Sequence, residues 1–210
     1  PEPSYVSYAP CVILADGVPV PIPMKEENEF KLTAEELEAA ITPKTKILVL
    51  PFPNNPTGAI MEREDLEKIA EIILEKDLFV ISDEIYSELT YAKEDHVSIA
   101  SLPGMKERTV LINGFSKSYA MTGWRIGYTA GPLNVIKAMS SLQSQVASGS
   151  NSIAQYAAEE ALRSPKGAAE IERMRKAYDE RRQHIVARLN AIDGLKYVMP
   201  KGAFYVMVDM

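Results

Sequence analysis

The chain has 210 residues, of which 46% are hydrophobic and 25% are charged, a composition typical of a folded globular protein and not of a disordered one. Its 23 Lys and Arg and 29 Asp and Glu give a formal net charge of -6, which argues against binding to nucleic acid or to an anionic membrane surface. A single cysteine excludes an internal disulfide framework, two histidines leave little for a metal site, and no apolar stretch approaches the roughly 20 residues that cross a bilayer. We therefore expect a soluble, cytoplasmic protein that uses no metal.

Strands and helices alternate in the first part of the chain. Thr33 and Glu36 form a capping box at the start of a helix, and the segment from Arg63 to Lys76 has the apolar spacing of an amphipathic helix. Short apolar runs such as KILVL predict strands buried on both faces. The predicted elements are helices at 33–41 and 63–76 and strands at 46–50, 78–81, 109–112 and 125–129. This alternation is typical of an α/β fold with a mostly parallel sheet.

The pattern becomes helical from Asn134 onward. Apolar residues from Ile171 to Leu189 share one stripe of a long charged segment, which predicts one helix or two helices end to end. After Gly194, two strands are predicted at 196–199 and 204–208, joined by a turn. A helix followed by a hairpin indicates the start of a second, smaller α+β domain.

Three loops follow the predicted parallel strands, and ligands of open α/β sheets bind beyond the carboxyl ends of such strands. These loops are at 51–58, 82–86 and 113–125. Each has an ordinary interpretation when it is taken alone. An Asn-Pro-Thr-Gly stretch is usually a turn, an Asp after a strand is more often a helix N-cap than a catalytic acid, and an isolated Arg is more often an ion-pair partner.

The combination of motifs in this order is more specific than any one of them. They are PSYVSY at 3–8, NNPTG at 54–58, SDEIY at 82–86, GFSKSYAMTGWRIGY at 114–128 and PKGAFY at 200–205. Together the motifs resemble those of the class I and II aminotransferases, the fold-type-I enzymes that use pyridoxal 5′-phosphate (PLP). The resemblance implies a three-layer αβα fold with a mostly parallel central sheet. It implies a PLP-binding large domain at 1–178 and the start of a small domain at 179–210, both incomplete.

The resemblance also assigns roles to the residues that match the catalytic motifs. Lys117 is the residue expected to bind PLP covalently and then to act as the base that moves the substrate proton. Asp83 is expected to pair with the protonated pyridine nitrogen, which keeps the ring an electron sink. Tyr86 and Asn55 are expected to form hydrogen bonds with the phenolic oxygen of PLP.

Further residues match the positions that hold the phosphate and the ring. Arg125 is expected to bind the phosphate with help from Ser116, and Tyr5 matches the position of an aromatic ring that stacks on the pyridine. The family often carries a hydroxyl for the phosphate at the position of Gly114, where this chain has none.

Both ends of the chain suggest a segment of a longer protein, because it opens without Met and closes in an apolar run. The resemblance implies further parts that this sequence does not contain. These are a Gly-rich phosphate loop, residues donated by the second subunit of a homodimer, and an arginine for the substrate carboxylate. We therefore expect a recognisable cofactor site, with activity weak or absent in these 210 residues alone.

The function implied by the resemblance is amino transfer between an L-amino acid and a 2-oxo acid, with aspartate as the first candidate substrate. Carbon–sulfur lyases and aminocyclopropane-carboxylate synthases share the same cofactor residues and remain alternatives. A third alternative is a non-catalytic ligand-binding module of the kind fused to transcription regulators.

Overall fold

The computed structural model describes residues 1–91 and 95–209, and the strands within these ranges form two sheets. The strands are β1 (Ile47–Pro51), β2 (Phe79–Asp83), β3 (Thr109–Gly114), β4 (Gly127–Ala130), β5 (Lys196–Tyr197) and β6 (Val208–Asp209). The α-helices are α1 (Tyr8–Leu14), α2 (Ala34–Ala40), α3 (Arg63–Glu75), α4 (Phe115–Ser118), α5 (Leu133–Ala147), α6 (Ser152–Arg163) and α7 (Gly167–Leu189). None of the helices in the described part of the chain combines the length and the apolarity that a membrane span requires.

The larger sheet has the order β1-β2-β3-β4. β1 pairs with β2 and β2 pairs with β3 in parallel, whereas β4 runs antiparallel to β3. The register places Pro51 opposite Asp83, and Asp83 opposite Ile112. The prediction of an α/β fold with a mostly parallel sheet is thus confirmed.

Local signals explain where the two helices beside this sheet begin. At α2, the Thr33 hydroxyl accepts from the Glu36 amide and the Glu36 carboxylate accepts from the Thr33 amide, both at 3.2 Å, as the capping box predicts. At α3, the Asp65 carboxylate accepts from the Glu62 amide at 3.1 Å. The apolar stripe of α3 is buried at Leu66, Ile69, Ala70 and Ile73, which orients the helix against the sheet.

The main core lies between α3 and one face of the sheet. Leu50 of β1 and Val80 of β2 are almost completely buried in this core together with the apolar stripe of α3. On the opposite face, Ile47 is 53% exposed and Phe79 is 44% exposed. The prediction of strands buried on both faces was therefore wrong at these positions, because the described residues cover this second face only in part.

The last part of the chain differs in detail from the prediction. The charged segment is one continuous helix, α7, and the two strands after it are only two residues long. The turn at 200–203 does not close a tight hairpin. Its backbone amides bind the loops of the larger sheet. The amides of Lys201 and Gly202 both donate to the carbonyl of Gly58, at 2.9 and 2.8 Å, and the Ala203 amide donates to the carbonyl of Leu89 at 2.8 Å. These bonds occupy backbone groups that a longer hairpin needs.

We predict that Gly58→Ala destabilises the fold more than Gly194→Ala. Both glycines have a left-handed φ, +72° and +88°, so alanine costs about 1–3 kcal/mol of backbone strain at either position. At Gly58 a Cβ would also lie 2.4 Å from the Cβ of Pro200, whereas at Gly194 it would meet no atom within 4 Å. Overpacking adds about 1–3 kcal/mol at Gly58 alone. Urea unfolding of the two variants measures the difference, and equal losses would contradict the steric role of Gly58.

Candidate active site

The parallel strands bring the three predicted loops to one edge of the sheet. β1 ends at Pro51, β2 ends at Asp83, and β3 ends at Gly114, directly before α4. Parallel strands share the direction of their carboxyl ends, so Asp83 and the residues of α4 lie at the same edge. Polar and reactive side chains of this edge form the candidate site.

Asp83 is a partly buried carboxylate that has no cation beside it among the described residues. Its Oδ2 accepts a hydrogen bond of 2.8 Å from the Tyr8 hydroxyl, and its Oδ1 accepts one of 3.1 Å from the amide of Ile85. Burial raises the pKa of Asp83 above its ordinary value, although these two donors act in the opposite direction. No Lys, Arg or His of the described residues forms an ion pair with it. The carboxylate can therefore accept a cationic ligand group.

Lys117 presents its amine to aromatic rings. Its Nζ lies 5.5 Å from the ring centroid of Tyr86 and 5.3 Å from that of Phe204. The short helix α4 is anchored by the buried side chains of Phe115 and Ser118, which fixes the direction of the partly buried lysine. Within the described ranges, the amine has neither an ion-pair partner nor a hydrogen bond. It can attack or exchange protons with a ligand that enters beside these rings.

Tyr86 is buried and forms a hydroxyl pair with Tyr205. The two Oη atoms are 2.7 Å apart, and the two rings meet edge to face with their centroids 5.8 Å apart. Burial, followed by the hydrogen bond between Tyr86 and Tyr205, raises the pKa of Tyr86 well above its ordinary value of 10. The phenol is therefore protonated at neutral pH and can donate a hydrogen bond.

The NNPTG loop is built on the first of its two asparagines. Asn54 is fully buried, donates to the Pro51 carbonyl at 3.3 Å and accepts from the Thr57 hydroxyl at 2.8 Å. Asn55, which the resemblance selects, is only partly buried, and its side chain has no hydrogen bond to any described residue. The loop thus uses Asn54 to hold its shape, which leaves the amide of Asn55 available to a ligand.

Arg125 has a backbone conformation that costs energy. It lies at φ 51° and ψ 49°, in the left-handed region, where a non-glycine residue costs about 1–3 kcal/mol. Its Nη1 donates to the Thr122 carbonyl at 3.0 Å, and most of the side chain is exposed. Ser116 is partly buried beside Lys117. Among the described residues, no hydrogen bond joins Arg125 to Ser116. These two side chains therefore do not form a completed phosphate site by themselves.

Close packing against the neighbouring strand favours glycine at position 114. A Cβ at this position would lie 3.0 Å from the Cα of Gly127 and 3.2 Å from the carbonyl oxygen of Ile126, both on the β4 side of the β3–β4 pair. A side chain at this position would therefore require the neighbouring strand to shift by a few tenths of an ångström.

Tyr5 lies at the edge of the site. It is 50% exposed, and its ring meets the ring of Tyr8 edge to face with centroids 5.8 Å apart. The Tyr8 hydroxyl binds Asp83, so Tyr8 connects the ring of Tyr5 to this carboxylate.

Several neighbours of the predicted residues escaped sequence reasoning, namely Tyr8, Phe204, Tyr205 and Glu84. Glu84 is 3% exposed, and its carboxylate accepts from the hydroxyls of Ser82 and Ser98 and contacts Nε2 of His96 at 2.9 Å. It fastens the segment after residue 94 to the end of β2. Tyr8 carried a usable signal, because it closes the same PSYVSY motif as Tyr5. Glu84 lies in the SDEIY motif, and Phe204 and Tyr205 close the PKGAFY motif, so these residues carried the same kind of signal.

Comparison with known proteins places the whole chain in one family. The family model described as aminotransferase class I and II matches residues 1–210. The aspartate aminotransferase of Pyrococcus abyssi and the aromatic-amino-acid aminotransferase 2 of Thermococcus litoralis are each 50% identical to this chain. Each match covers 98% of this chain and 53% of the relative, so the chain spans about half the length of the curated relatives it matches.

Solved structures give the same result. An aromatic aminotransferase from Pyrococcus horikoshii superimposes with a TM-score of 0.95 at 50% identity, over 98% of this chain and 55% of that one. The aspartate aminotransferase of Thermus thermophilus with maleate superimposes with a TM-score of 0.94 at 44% identity, over 99% of this chain and 54% of that one.

We predict that Asp83→Asn stabilises the ligand-free protein at neutral pH. Burial raises the pKa of Asp83 in the folded state above 3.8, the ordinary value that applies to the unfolded state. Between pH 3.8 and the raised pKa, the folded state therefore binds more protons than the unfolded state. The stability conferred by the protonated acid is therefore present below pH 3.8 and is lost as the pH rises through the raised pKa. Asparagine removes this loss, because its Oδ1 can accept from the Ile85 amide and its Nδ2 can donate to the Tyr8 hydroxyl oxygen.

Urea midpoints of the variant and the parent, measured at neutral pH and near pH 4, test this sign. The advantage of the variant should shrink toward the lower pH. Tyr8→Phe is the control with the opposite expectation, because it removes a donor to a charged group and costs about 1.5–3 kcal/mol. A neutral-pH destabilisation by Asp83→Asn would contradict the prediction.

Proposed function

Because the chain belongs to the class I and II aminotransferases, we propose that the protein carrying it uses PLP to transfer an amino group between an L-amino acid and a 2-oxo acid. Enzymes of this family depend on PLP and act on amino and oxo acids. The observation that carries the proposal is a carboxylate and an amine, Asp83 and Lys117, at one sheet edge, each without a partner of opposite charge among the described residues.

The residues present fit PLP on the chemistry of their donors and acceptors. The uncompensated carboxylate of Asp83 suits a protonated ring nitrogen, which would supply the missing positive charge. The protonated phenol of Tyr86 and the unused amide of Asn55 suit a phenolate oxygen. The amine of Lys117 suits an aldehyde carbon. Bound PLP supplies an electron sink that stabilises negative charge at the substrate Cα.

Lys117 is the residue to which we assign both attachment and proton transfer. Its amine would hold the cofactor covalently and, once an incoming amine has displaced it, would remove and return the proton at the substrate Cα. The rings of Tyr86 and Phe204, whose centroids are 5.3 Å apart, together cover one side of the amine. The uncovered side of the amine is the side from which a substrate can reach it.

Arg125, Ser116 and Tyr5 complete the proposed cofactor set. The guanidinium of Arg125 can donate two parallel hydrogen bonds to a phosphate, and Ser116 can add a third. The left-handed backbone of Arg125 supports a functional constraint at this position. Tyr5 offers a ring for stacking, and half of its surface is free for it.

Aspartate is the substrate that we propose first. Relatives named aspartate aminotransferase from Pyrococcus abyssi, Geobacillus stearothermophilus and Bacillus subtilis are 49–50% identical to this chain and support it. The Thermococcus litoralis relative named for aromatic amino acids has the same level of identity, so aromatic substrates are the direct competitor.

We extend the proposal to organisation and location. We propose a cytoplasmic homodimer. Residues 1–178 belong to its large domain, and residues 179–210 form the start of its small domain. The separate β5–β6 sheet supports a second domain, and α7 crosses the proposed boundary without a break.

Borohydride reduction of the PLP-treated protein should fix the label on Lys117, as peptide mapping can show. Lys117→Arg should abolish the label and lower kcat by at least about 10²-fold, because arginine keeps the charge but cannot act as the base. Lys137→Arg, an exposed substitution on α5, is the matched control and should retain both label and turnover. A label at another lysine would refute the assignment.

Substrate profiling tests the amino transfer itself. The kcat/KM with aspartate should exceed that with phenylalanine or tyrosine, and turnover should require a 2-oxo acid acceptor. Pyruvate and ammonia formed without an acceptor would support a carbon–sulfur lyase instead. PLP binding without turnover in any of these assays would support a ligand-binding module.

A further inference from the structure

A second tyrosine hydroxyl, that of Tyr205, lies in the site behind Tyr86. The two Oη atoms are 2.7 Å apart, although the residues are 119 positions apart in the chain. The distance permits either hydroxyl to be the donor. Tyr205 lies outside the strands and helices, so its position depends on how its own segment is held.

The segment that carries Tyr205 is held firmly by other groups. The Ala203 amide donates to the Leu89 carbonyl at 2.8 Å, and the Tyr91 hydroxyl donates to the Ala203 carbonyl at 2.6 Å. Gly202 donates to Gly58 on the other side of the turn. These bonds fix the backbone of the segment, and the hydroxyl of Tyr205 is not needed for that purpose.

The direction of the hydroxyl pair matters because each phenol has only one proton. If Tyr86 donates to Tyr205, it has no proton left for a ligand. If Tyr205 donates to Tyr86, the Tyr86 proton is free to point into the site, and its donor strength increases because hydrogen bonds in series polarise one another. A phenolate beside Tyr86 would select the second arrangement.

We propose that Tyr205 is a positioning residue that donates to the Tyr86 hydroxyl and so directs the Tyr86 proton to the phenolic oxygen of PLP. The proposal rests on the function proposed above. It gives the PKGAFY segment a role in the cofactor site that differs from packing, because the ring of Tyr205 contacts the ring of Tyr86 with or without the hydroxyl.

The pH titration of the visible absorbance of the lysine-bound cofactor tests this role. Donation to the phenolate favours the form that has lost the proton shared between the lysine nitrogen and this oxygen, so it lowers the apparent pKa. Tyr205→Phe should therefore raise that pKa by about half a unit, less than Tyr86→Phe raises it.

Tyr91→Phe is the matched control. It removes another tyrosine hydroxyl that binds the same segment, but this one bonds to Ala203 and not to Tyr86. It should leave the absorbance pKa unchanged, and melting temperatures of all variants exclude loss of the fold as the cause of a shift.

A double-mutant cycle completes the test. In the Tyr86→Phe background, Tyr205→Phe should add no further shift, because Tyr205 acts through the Tyr86 hydroxyl. Additive shifts, an equal shift in Tyr91→Phe, or no shift in Tyr205→Phe would overturn the positioning role while the Lys117 label persists. Absence of that label in the parent protein would overturn the proposed function itself.

Discussion

Three adjacent strands run in the same direction, and their register brings Pro51, Asp83 and Ile112 side by side at one edge of the sheet. Every proposed catalytic group depends on this parallel pairing. It aligns the NNPTG loop, the SDEIY loop and α4, which come from separate parts of the chain. The antiparallel β4 then returns beside β3, and the two backbones approach so closely at Gly114 and Gly127 that a side chain at position 114 would require a shift of the neighbouring strand.

The uncompensated charge at this edge of the sheet lowers the stability of the folded protein and favours the binding of a ligand. Asp83 loses hydration without gaining a cation from the part of the chain that the structure describes, and the hydroxyl of Tyr8 and the amide of Ile85 compensate only in part. Active sites commonly retain such destabilising groups because binding of the correct ligand relieves them. The stability that permits this arrangement comes from the core between α3 and the sheet, where Ile69, Ile73 and Val80 are fully buried.

Sequence reasoning was most successful where function and fold are local. The order of strands and helices, the capping box at Thr33 and the three loops follow from patterns within a few residues. The sequence did not reveal the contacts of Tyr8 with Asp83 and of Tyr205 with Tyr86, because these pairs are 75 and 119 residues apart and depend on the topology. The glycine at position 114 could not be explained from the sequence for the same reason, since the atoms that a side chain there would meet lie on the neighbouring strand.

The segment at 200–205 links the last part of the chain to the site by two kinds of contact. Its backbone is bound to Gly58 and Leu89, which lie in or just after the two loops that end β1 and β2. Its side chains Phe204 and Tyr205 then reach the amine of Lys117 and the hydroxyl of Tyr86. A displacement of this segment would therefore alter the surroundings of both groups together. The hydrogen bonds to Gly58 and Leu89 fix the backbone directly before Phe204 and Tyr205, so they hold these two rings beside Lys117 and Tyr86.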